Sequence, residues 1–458
     1  MTATPVFAPR YRALSIGIVA LVMLVAFEYL AVATAMPVIG AELHGYRLYG
    51  LAFSGGLAAN VIATVMGGRW SDARGPAASL WTGVGGFIAG LAVSGLAPTM
   101  EVFLAGRFLQ GFGGGLFNVA LYVLVAKVYP APMHPRVFSL LAAAWVLPSV
   151  VGPAITGFVA GTWSWRWIFL GVAVLSAPAA LVMWRGIPEG GEQEREPIGR
   201  TFLPRLAWGV LAAVGAALLQ YGSGTPGQGL PLIVAGLAVL AFVLPRLLPS
   251  GTLRAARGLP TVVALRGLAA GAFFAAEVFV PLTLTHERGL STAQSGLALT
   301  GGALAWSAGS WIQGRRPHGR VLTIRAGTTL IAAGISVTAL TVVHATPVLV
   351  AFGGWMVAGL GIGLVFPTLS VLVLELSAPG EAGRNSASLS IGESVFAIVA
   401  VAVTGALFAA YGGTALVYLA CFALLVVMAG AGALVAGRAE NPRGRVPEHP
   451  RAPGTMEI

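Results

Sequence analysis

Cysteine and charged residues are both scarce in this sequence. Only 9% of the 458 residues are charged, whereas a soluble domain carries about 25%, which excludes an ordinary water-soluble protein. The single cysteine, Cys421, excludes an intrachain disulfide. The six histidines form no pair at metal-ligand spacing, and the chain has no nucleophile elbow, phosphate-binding loop or zinc motif. We therefore expect neither enzyme activity nor a bound metal or cofactor.

Long apolar runs dominate the chain instead. Hydrophobic residues make up 57% of it, and glycine is abundant, with 63 residues. The alternating strands that an outer-membrane barrel needs are not visible. Runs of at least about 17 apolar residues can cross a bilayer, and they predict an all-α integral membrane protein with 14 transmembrane helices. The predicted spans are 13–36, 48–67, 77–97, 101–126, 137–161, 166–184, 206–222, 229–248, 260–284, 292–313, 322–343, 347–375, 385–410 and 413–436.

The net charge of +11 does not indicate nucleic-acid binding, because the basic residues lie in short loops between the apolar runs. With the N-terminus in the cytoplasm, 22 of the 27 lysines and arginines fall in inner loops and tails and three in outer loops. The positive-inside rule requires such a bias. We therefore expect a multi-pass protein of the cytoplasmic (inner) membrane with both termini cytoplasmic. The bias does not distinguish twelve spans from fourteen, since removing a helical pair preserves the alternation.

The longest polar inner loop, residues 187–204, follows the sixth run and divides the chain into two halves. Glu28 and Glu277 stand at similar depths in the first helix of each half, as parallel repeats would place them. The predicted segments are a cytoplasmic N-terminus (1–12), an N-terminal six-helix bundle (13–186), a cytoplasmic linker (187–204), inserted helices 7 and 8 (205–248), a cytoplasmic loop (249–259), a C-terminal six-helix bundle (260–437) and a disordered cytoplasmic tail (438–458).

Three carboxylates lie deep within the apolar runs: Glu28, Glu277 and Glu393. An ionisable group at that depth costs about 3 kcal/mol on insertion scales, so it needs a partner, a proton or a water-filled cavity. Glu28 is therefore a candidate for proton coupling, and the alternative is one half of a structural ion pair. With Arg107 as the one deep arginine and Arg266 close to the inner surface, the acids predict a negative cavity that favours organic cations. The alternative for Glu277 and Glu393 is a neutral carboxyl hydrogen-bonded to its neighbours.

Two predicted helices each carry a face of polar or small residues. Helix 4 presents Arg107, Gln110, Gly111, Gly114, Asn118 and Tyr122 within an arc of about 140°, and helix 5 presents Pro148, Ser149, Gly152, Pro153, Thr156 and Gly157 within about 180°. Prolines and glycines on one face allow a helix to bend and to pack closely. In the loop after helix 2, Asp72 stands between Arg69 and Arg74. A carboxylate there can bind a neighbouring helix end in one conformation and release it in another.

At these motifs the chain resembles the major facilitator superfamily, and within it the fourteen-helix drug:proton antiporters of the EmrB/QacA type. The loop Gly68-x-x-x-Asp72-x-x-Gly75 is similar to the family signature after helix 2, although Pro76 stands where an arginine is usual. Further matches are Arg107-x-x-Gln110-Gly111 in helix 4, Pro148-x-x-x-Gly152-Pro153-x-x-Thr156-Gly157 in helix 5 with Pro148 and Thr156 replacing glycines, Trp165-Arg166-Trp167-Ile168-Phe169 at the start of helix 6, and Glu28 nine residues before Pro37, where the family usually has Asp. These matches cover helices 1 to 6, and helix count alone supports the second half.

The resemblance implies a major facilitator fold, two six-helix bundles plus two linker helices, that exports amphipathic and cationic drugs or other lipophilic compounds in exchange for protons. The proton gradient would be the energy source, without a cofactor. The partners would be a small lipophilic substrate, protons and membrane lipids, and the protein would act as a monomer. One alternative keeps the fold and exports lipids or lipophilic metabolites. Another is a membrane sensor or scaffold that transports nothing.

The candidate site residues fall into three groups. For proton coupling they are Glu28, Arg107, Glu277 and Glu393. For the substrate cavity they are Phe27, Gln110, Asn118, Tyr122, Phe273 and Phe274. For conformational gating they are Gly68, Asp72, Arg74, Gly75, Pro148, Gly152, Pro153 and Gly157. We expect Glu28 and Arg107 to pair, and protonation of Glu28 to break that pair.

Overall fold

The computed structural model of the protein describes residues 6–44, 49–187, 202–223, 229–290, 292–315, 319–411 and 414–440. All regular secondary structure in these ranges is helical, and it includes fifteen α-helices. They are α1 (Pro9–Glu42), α2 (Tyr49–Arg74), α3 (Pro76–Gly95), α4 (Met100–Val128), α5 (His134–Ala143), α6 (Val146–Thr162), α7 (Arg166–Gly186), α8 (Phe202–Ser223), α9 (Leu230–Leu247), α10 (Leu259–His286), α11 (Thr292–Arg315), α12 (Arg320–Ala339), α13 (Leu349–Glu375), α14 (Ala382–Tyr411) and α15 (Ala415–Val435). Most of the predicted linker and of the predicted tail lies outside the described residues.

Eleven helical segments within the described ranges are long and apolar enough to cross a membrane. The protein is therefore a multi-pass, all-helical membrane protein, whereas the count of fourteen spans stays a prediction. The predicted spans that are not among these eleven lie on α2, α8 and α11.

The predicted fifth span consists of two helices, because α5 ends at Ala143 and α6 begins at Val146. Pro148 explains the interruption. It has no N–H to donate to the carbonyl four residues earlier, at Ala144, and its ring crowds that carbonyl. The hydrogen-bond ladder resumes at Ser149, whose N–H donates to the carbonyl of Trp145 at 3.1 Å.

Helices α1–α7 and α10–α15 form two halves with the same pattern of neighbours. Helix α3 packs on α4 and α1 on α7 in the first half, as α12 packs on α13 and α10 on α15 in the second. Glycines bring the equivalent pairs together: a Cβ on Gly83 would lie 2.5 Å from the Phe117 nitrogen, and one on Gly361 would lie 2.5 Å from the Gly327 oxygen. Small residues allow helix backbones in lipid to approach this closely. Helices α1 and α10, which carry Glu28 and Glu277, therefore hold equivalent places.

The inserted helices α8 and α9 pack on each other, and α8 also packs on α2 and α14, one helix from each half. A Cβ on Gly209 of α8 would lie 3.1 Å from the Val65 side chain of α2. The pair thus covers one of the seams between the halves, which we call the α2–α14 seam.

Two hydrogen-bonded contacts between the halves lie at the same end of the bundle. The Ser139 hydroxyl in the middle of α5 donates to the Ser310 carbonyl near the end of α11, at 2.6 Å. The Gly383 N–H at the start of α14 donates to Asp72 near the end of α2, at 2.7 Å. We call this the basic end, since the helix termini there carry Arg69, Arg74, Lys127, Arg136, Arg315, Arg320 and Arg384. The halves are closed against each other at the basic end.

Candidate functional site

Glu28 and Arg107 form an ion pair inside the N-terminal half. Glu28 is 4% and Arg107 9% exposed, and the guanidinium donates from Nη1 to the Glu28 carboxylate. The same nitrogen donates to Gln110 Oε1 at 2.7 Å, one turn further along α4. The structure thus brings the two residues together as the sequence predicts. It also shows that Gln110, which is 2% exposed, supports Arg107 and does not line an open cavity.

A second ion pair joins Arg266 of α10 to Glu393 of α14. Arg266 is 6% exposed, and its Nε donates to Glu393 Oε2 at 2.7 Å. Its Nη1 donates to the Phe366 carbonyl at 3.0 Å, and the guanidinium carbon lies 3.5 Å from the centre of that ring. The expectation of a single deep arginine was therefore wrong. The long side chain carries the charge of Arg266 away from the start of α10 and into the bundle.

Tyr122 connects this second pair to the N-terminal half. Its hydroxyl lies 3.1 Å from the Ser370 hydroxyl of α13, and Ser370 also accepts a hydrogen bond from Arg266 at 3.3 Å. Tyr122 is 9% exposed. Tyr122 was predicted to line the substrate cavity. In this structure it instead makes a contact between the two halves, which the sequence did not predict.

Of the three predicted deep acids, Glu277 alone has no cationic partner among the described residues. It is half-buried, and among the described residues it has neither a salt bridge nor a hydrogen bond. The hydroxyl of Tyr29 lies within electrostatic range of Glu277, Arg107, Glu28 and Glu393. Tyr29 is nevertheless 56% exposed. A side chain that faces charges from four helices and is still accessible must face an internal cleft, which we call the central cleft.

The other residues predicted to line the substrate cavity differ in their exposure. Asn118 is exposed although Phe117 and Val119 beside it on α4 are buried, and Phe27 and Phe274 are half-buried. Phe273 is different, because it is 2% exposed and stacks on Trp355 with ring centres 4.6 Å apart. Its assignment to the substrate cavity was therefore wrong for this conformation.

The predicted gating loop binds a helix terminus of the other half. Asp72 accepts the N–H groups of Gly383 and Arg384, at 2.7 and 2.8 Å, in the first turn of α14. A carboxylate is favourable at a helix N-terminus, where backbone N–H groups are otherwise unpaired. Asp72 lies outside the predicted membrane span 48–67. Burial raises the pKa of its carboxyl, and the hydrogen bonds from these two N–H groups oppose that rise.

The neighbouring gating candidates behave differently from one another. A Cβ on Gly68 would lie 2.8 Å from both the Ala387 Cβ and the Gly383 oxygen of α14, so glycine permits the contact between the halves. Gly75 has φ of 79°, which favours glycine, and directly precedes Pro76 at the first position of α3. Arg74 is exposed. The arginines in electrostatic range of Asp72 are instead Arg384 and Arg69.

The predicted helix 5 motif lies on α6 and faces α1. A Cβ on Gly152 would lie 3.7 Å from the Phe27 ring, next to Glu28. Pro148 is buried one turn earlier, whereas the space beside Gly157 is open. The side chain of Pro153 lies outside the described residues. The motif therefore contacts the helix that carries Glu28.

At the end opposite the basic end, Arg166 ties three helix termini together. It forms an ion pair with Glu42 at the end of α1 and donates to the Ala97 carbonyl at 3.1 Å. Trp165 donates its ring N–H to Glu42 at 2.9 Å. The hydrogen bond from Arg166 is the main cause that lowers the pKa of the Glu42 carboxyl, and the hydrogen bond from Trp165 adds to it. Sequence reasoning recognised the aromatic and basic motif but missed its acidic partner, which is 124 residues away.

Similarity to known proteins agrees with this architecture. The sequence profile described as "Major Facilitator Superfamily" matches residues 18–315. A probable multidrug-efflux transporter of Mycobacterium tuberculosis (strain H37Rv) is 26% identical over 472 aligned residues, which cover 96% of both chains. The multidrug transporter protein MdtP of Bacillus subtilis is 24% identical over 87% of this chain and 76% of its own.

Solved structures resemble the fold as a whole. The human organic anion transporter MFSD10 aligns with a TM-score of 0.71 over 94% of this chain and 100% of its own, at 15% identity. A bacterial homologue of the iron transporter ferroportin in its outward-facing state aligns with a TM-score of 0.69 over 94% and 99% of the two chains, at 11% identity. At such low identity these likenesses show the fold alone.

Proposed function

Because the chain belongs to the Major Facilitator Superfamily, we propose that it exports amphipathic, cationic drugs or other lipophilic compounds in exchange for protons. The chain is a transporter and not an enzyme. Similarity over nearly the full length to a probable multidrug-efflux transporter supports export and a broad substrate range. The proposal also includes coupling to the proton gradient and a cationic substrate, and the charges of the central cleft support both.

We propose that the protein lies in the inner (cytoplasmic) membrane. The basic end and both termini then face the cytoplasm. The charge bias of the loops supports that orientation. Fifteen described α-helices are compatible with fourteen spans, since α5 and α6 follow one another within a single predicted span. The protein would then match the fourteen-helix drug:proton antiporters in helix count as well as in motifs.

One observation carries the proposed mechanism: Glu277 has no cationic partner among the described residues, whereas Glu28 and Glu393 each have an arginine. The two ion pairs are each neutral. The central cleft therefore has one negative charge when Glu277 is ionised and none when it is protonated. An uncompensated charge in a membrane interior is unfavourable, so either a proton or a monovalent organic cation neutralises Glu277. Competition between them for one carboxylate exchanges one proton for one singly charged substrate.

Alternating access then couples this competition to transport. With the basic end closed, Glu277 takes a proton from the outer side, and the neutral cleft no longer holds the cation. The basic end opens when α14 leaves Asp72, and a cytoplasmic substrate displaces the proton. Each ligand biases the same equilibrium between two conformations, as antiport requires.

Proteoliposomes test this proposal with a fluorescent lipophilic cation, ethidium, in the bath and an acidic lumen. We expect the wild type to accumulate the cation until an ionophore removes the pH gradient. Glu277→Gln keeps the side-chain volume but cannot take up or release the proton, so it should lose accumulation. Glu287→Gln removes the same charge ten residues further along, at the terminus of α10, and should retain it.

Two further results would contradict the assignment. Accumulation by Glu277→Gln at the wild-type rate would remove Glu277 from the coupling. Loss of accumulation in Glu28→Gln alone would place the proton on the paired acid, where release of Arg107 would be the coupling event. A labelled phospholipid that moves with neither acid required would instead support lipid export.

A further inference from the structure

A crevice opens at the basic end, where α2 and α14 meet the inserted helix α9. It has about 420 Å³ of empty space including its mouth. Its lining combines two guanidinium groups, Arg69 of α2 and Arg384 of α14, with the apolar side chains of Val65, Leu247 and Ile391 from the three helices. The crevice lies on the α2–α14 seam, and the proposed transport cycle assigns it no role.

Arg69 lacks the partners that a partly buried guanidinium requires. Its Nε is buried and has no hydrogen-bond acceptor among the described residues, and no carboxylate there forms an ion pair with it. An unsatisfied buried donor on a charged group costs more than about 1–3 kcal/mol, and such groups in native proteins generally have a partner. An acceptor from outside the chain would satisfy it.

The charges around the crevice favour an anion. Arg384 pairs with Glu381 at 2.5 Å and remains 37% exposed, and Lys127 lies in electrostatic range of Asp72. Three cations, Arg69, Arg384 and Lys127, thus surround two carboxylates, and Asp72 already accepts two N–H groups of α14. One positive charge is left over, and two guanidinium groups suit a phosphate geometrically.

The apolar lining residues indicate where this phosphate comes from. Val65 lies two residues before the predicted end of its membrane span, Leu247 is the last residue of α9, and Ile391 lies in the third turn of α14. All three are therefore at the boundary between hydrocarbon and headgroups on the basic side. A free phosphate ion gains nothing from such walls, whereas the first carbons of a lipid tail do.

We propose that this crevice binds an anionic phospholipid of the leaflet at the basic end. Its phosphate accepts hydrogen bonds from Arg69 and Arg384, and its glycerol and first acyl carbons contact Val65, Leu247 and Ile391. The walls come from both halves, so the site is complete only when the basic end is closed. A bound lipid therefore stabilises the closed conformation. Helix α9 supplies one wall, which gives the inserted pair a function beyond linking the halves.

Native mass spectrometry of the full-length protein in detergent tests the site with phosphatidylglycerol, phosphatidylcholine and inorganic phosphate as separate probes. We expect phosphatidylglycerol to bind more tightly than phosphatidylcholine, and Arg69→Gln to weaken its binding about tenfold, as the loss of one charge-assisted contact predicts. Arg315→Gln removes the same charge at the same end, on the last residue of α11, and should bind as the wild type does. Leu247→Trp places a larger side chain in the crevice without a change of charge and should weaken lipid binding.

The expected pattern differs from every alternative. Equal binding of phosphatidylglycerol by Arg69→Gln and the wild type would overturn the site, and so would an equal loss in Arg315→Gln, which would indicate general attraction to a basic surface. Arg69-dependent binding of inorganic phosphate that phosphatidylglycerol does not displace would overturn the lipid assignment. Melting temperatures of the purified variants exclude misfolding as the cause of a loss.

Discussion

Gly68→Ala should open the basic end of the protein. A Cβ at this position would lie 2.8 Å from both the Ala387 Cβ and the Gly383 oxygen, whereas ordinary contacts begin at 3.4 Å, so α2 and α14 must separate by about 0.6 Å. Neither neighbouring atom belongs to a flexible side chain that could rotate away. Overpacking of this kind costs about 1–3 kcal/mol. The cost arises only in the closed conformation, because the contact joins the two halves.

The expected effect is a shift of the conformational equilibrium. A cost of about 1–3 kcal/mol lowers the ratio of closed to open molecules roughly 5- to 150-fold. Spin labels on Ala77→Cys and Leu322→Cys report it, since these exposed positions lie at the starts of α3 and α12 at the basic end of each half. The single native cysteine is buried, and Cys421→Ala removes it from the labelling. Electron–electron distance measurements should show longer separations for Gly68→Ala.

Gly85→Ala provides the matched control, because a Cβ on Gly85 has nothing within 4 Å. It should leave the distance distribution unchanged. A distribution for Gly68→Ala identical to that of the wild type would refute the conclusion that this glycine allows the halves to close.

Two further predictions concern the ion pairs. Arg266→Gln leaves Glu393 without its buried partner and should lower the free energy of unfolding by about 3–5 kcal/mol, measured as a lower melting temperature in detergent. Arg325→Gln, on the exposed side of α12, should leave the melting temperature unchanged. If adding Glu393→Gln to Arg266→Gln restores none of the lost stability, the unpaired carboxylate is not the cause of the loss. Glu42 has a lowered pKa in the folded protein, so its pair with Arg166 stabilises the fold above the ordinary carboxyl pKa of 4.5 and loses that effect as the pH falls through the folded value. The difference in melting temperature between the wild type and Glu42→Gln should accordingly disappear at low pH, and a difference that persists there would contradict the assignment.

The sequence predicted the parts of the site that lie on one helix or at comparable depth. The pair between Glu28 and Arg107 could be predicted because the number of residues from the start of each apolar run gives the depth of each side chain in the membrane. The interruption between α5 and α6 was also accessible in principle, through Pro148 and the carbonyl that its ring displaces. Asp72 could be assigned to a helix terminus by its flanking arginines.

Contacts between distant segments were not accessible in this way. Arg266 and Glu393 are 127 residues apart, and the depth of Arg266 along α10 does not show how far its side chain reaches. Phe273 was assigned to the cavity by residue type, but its stacking on Trp355 depends on how α10 packs against α13. Asp72 likewise gave no indication that α14, of all helices, would supply the N–H groups.

Proton release on substrate binding tests the competition at Glu277 most directly. Calorimetric titration of the purified protein with ethidium, in buffers of different ionisation enthalpy, measures the number of protons released for each cation bound. At a pH where the free protein is protonated, the wild type should release up to about one proton, as one titrating carboxylate requires, and Glu277→Gln should release none. Equal release by the two proteins would mean that the proton leaves another group, and the proposed exchange at Glu277 would be wrong.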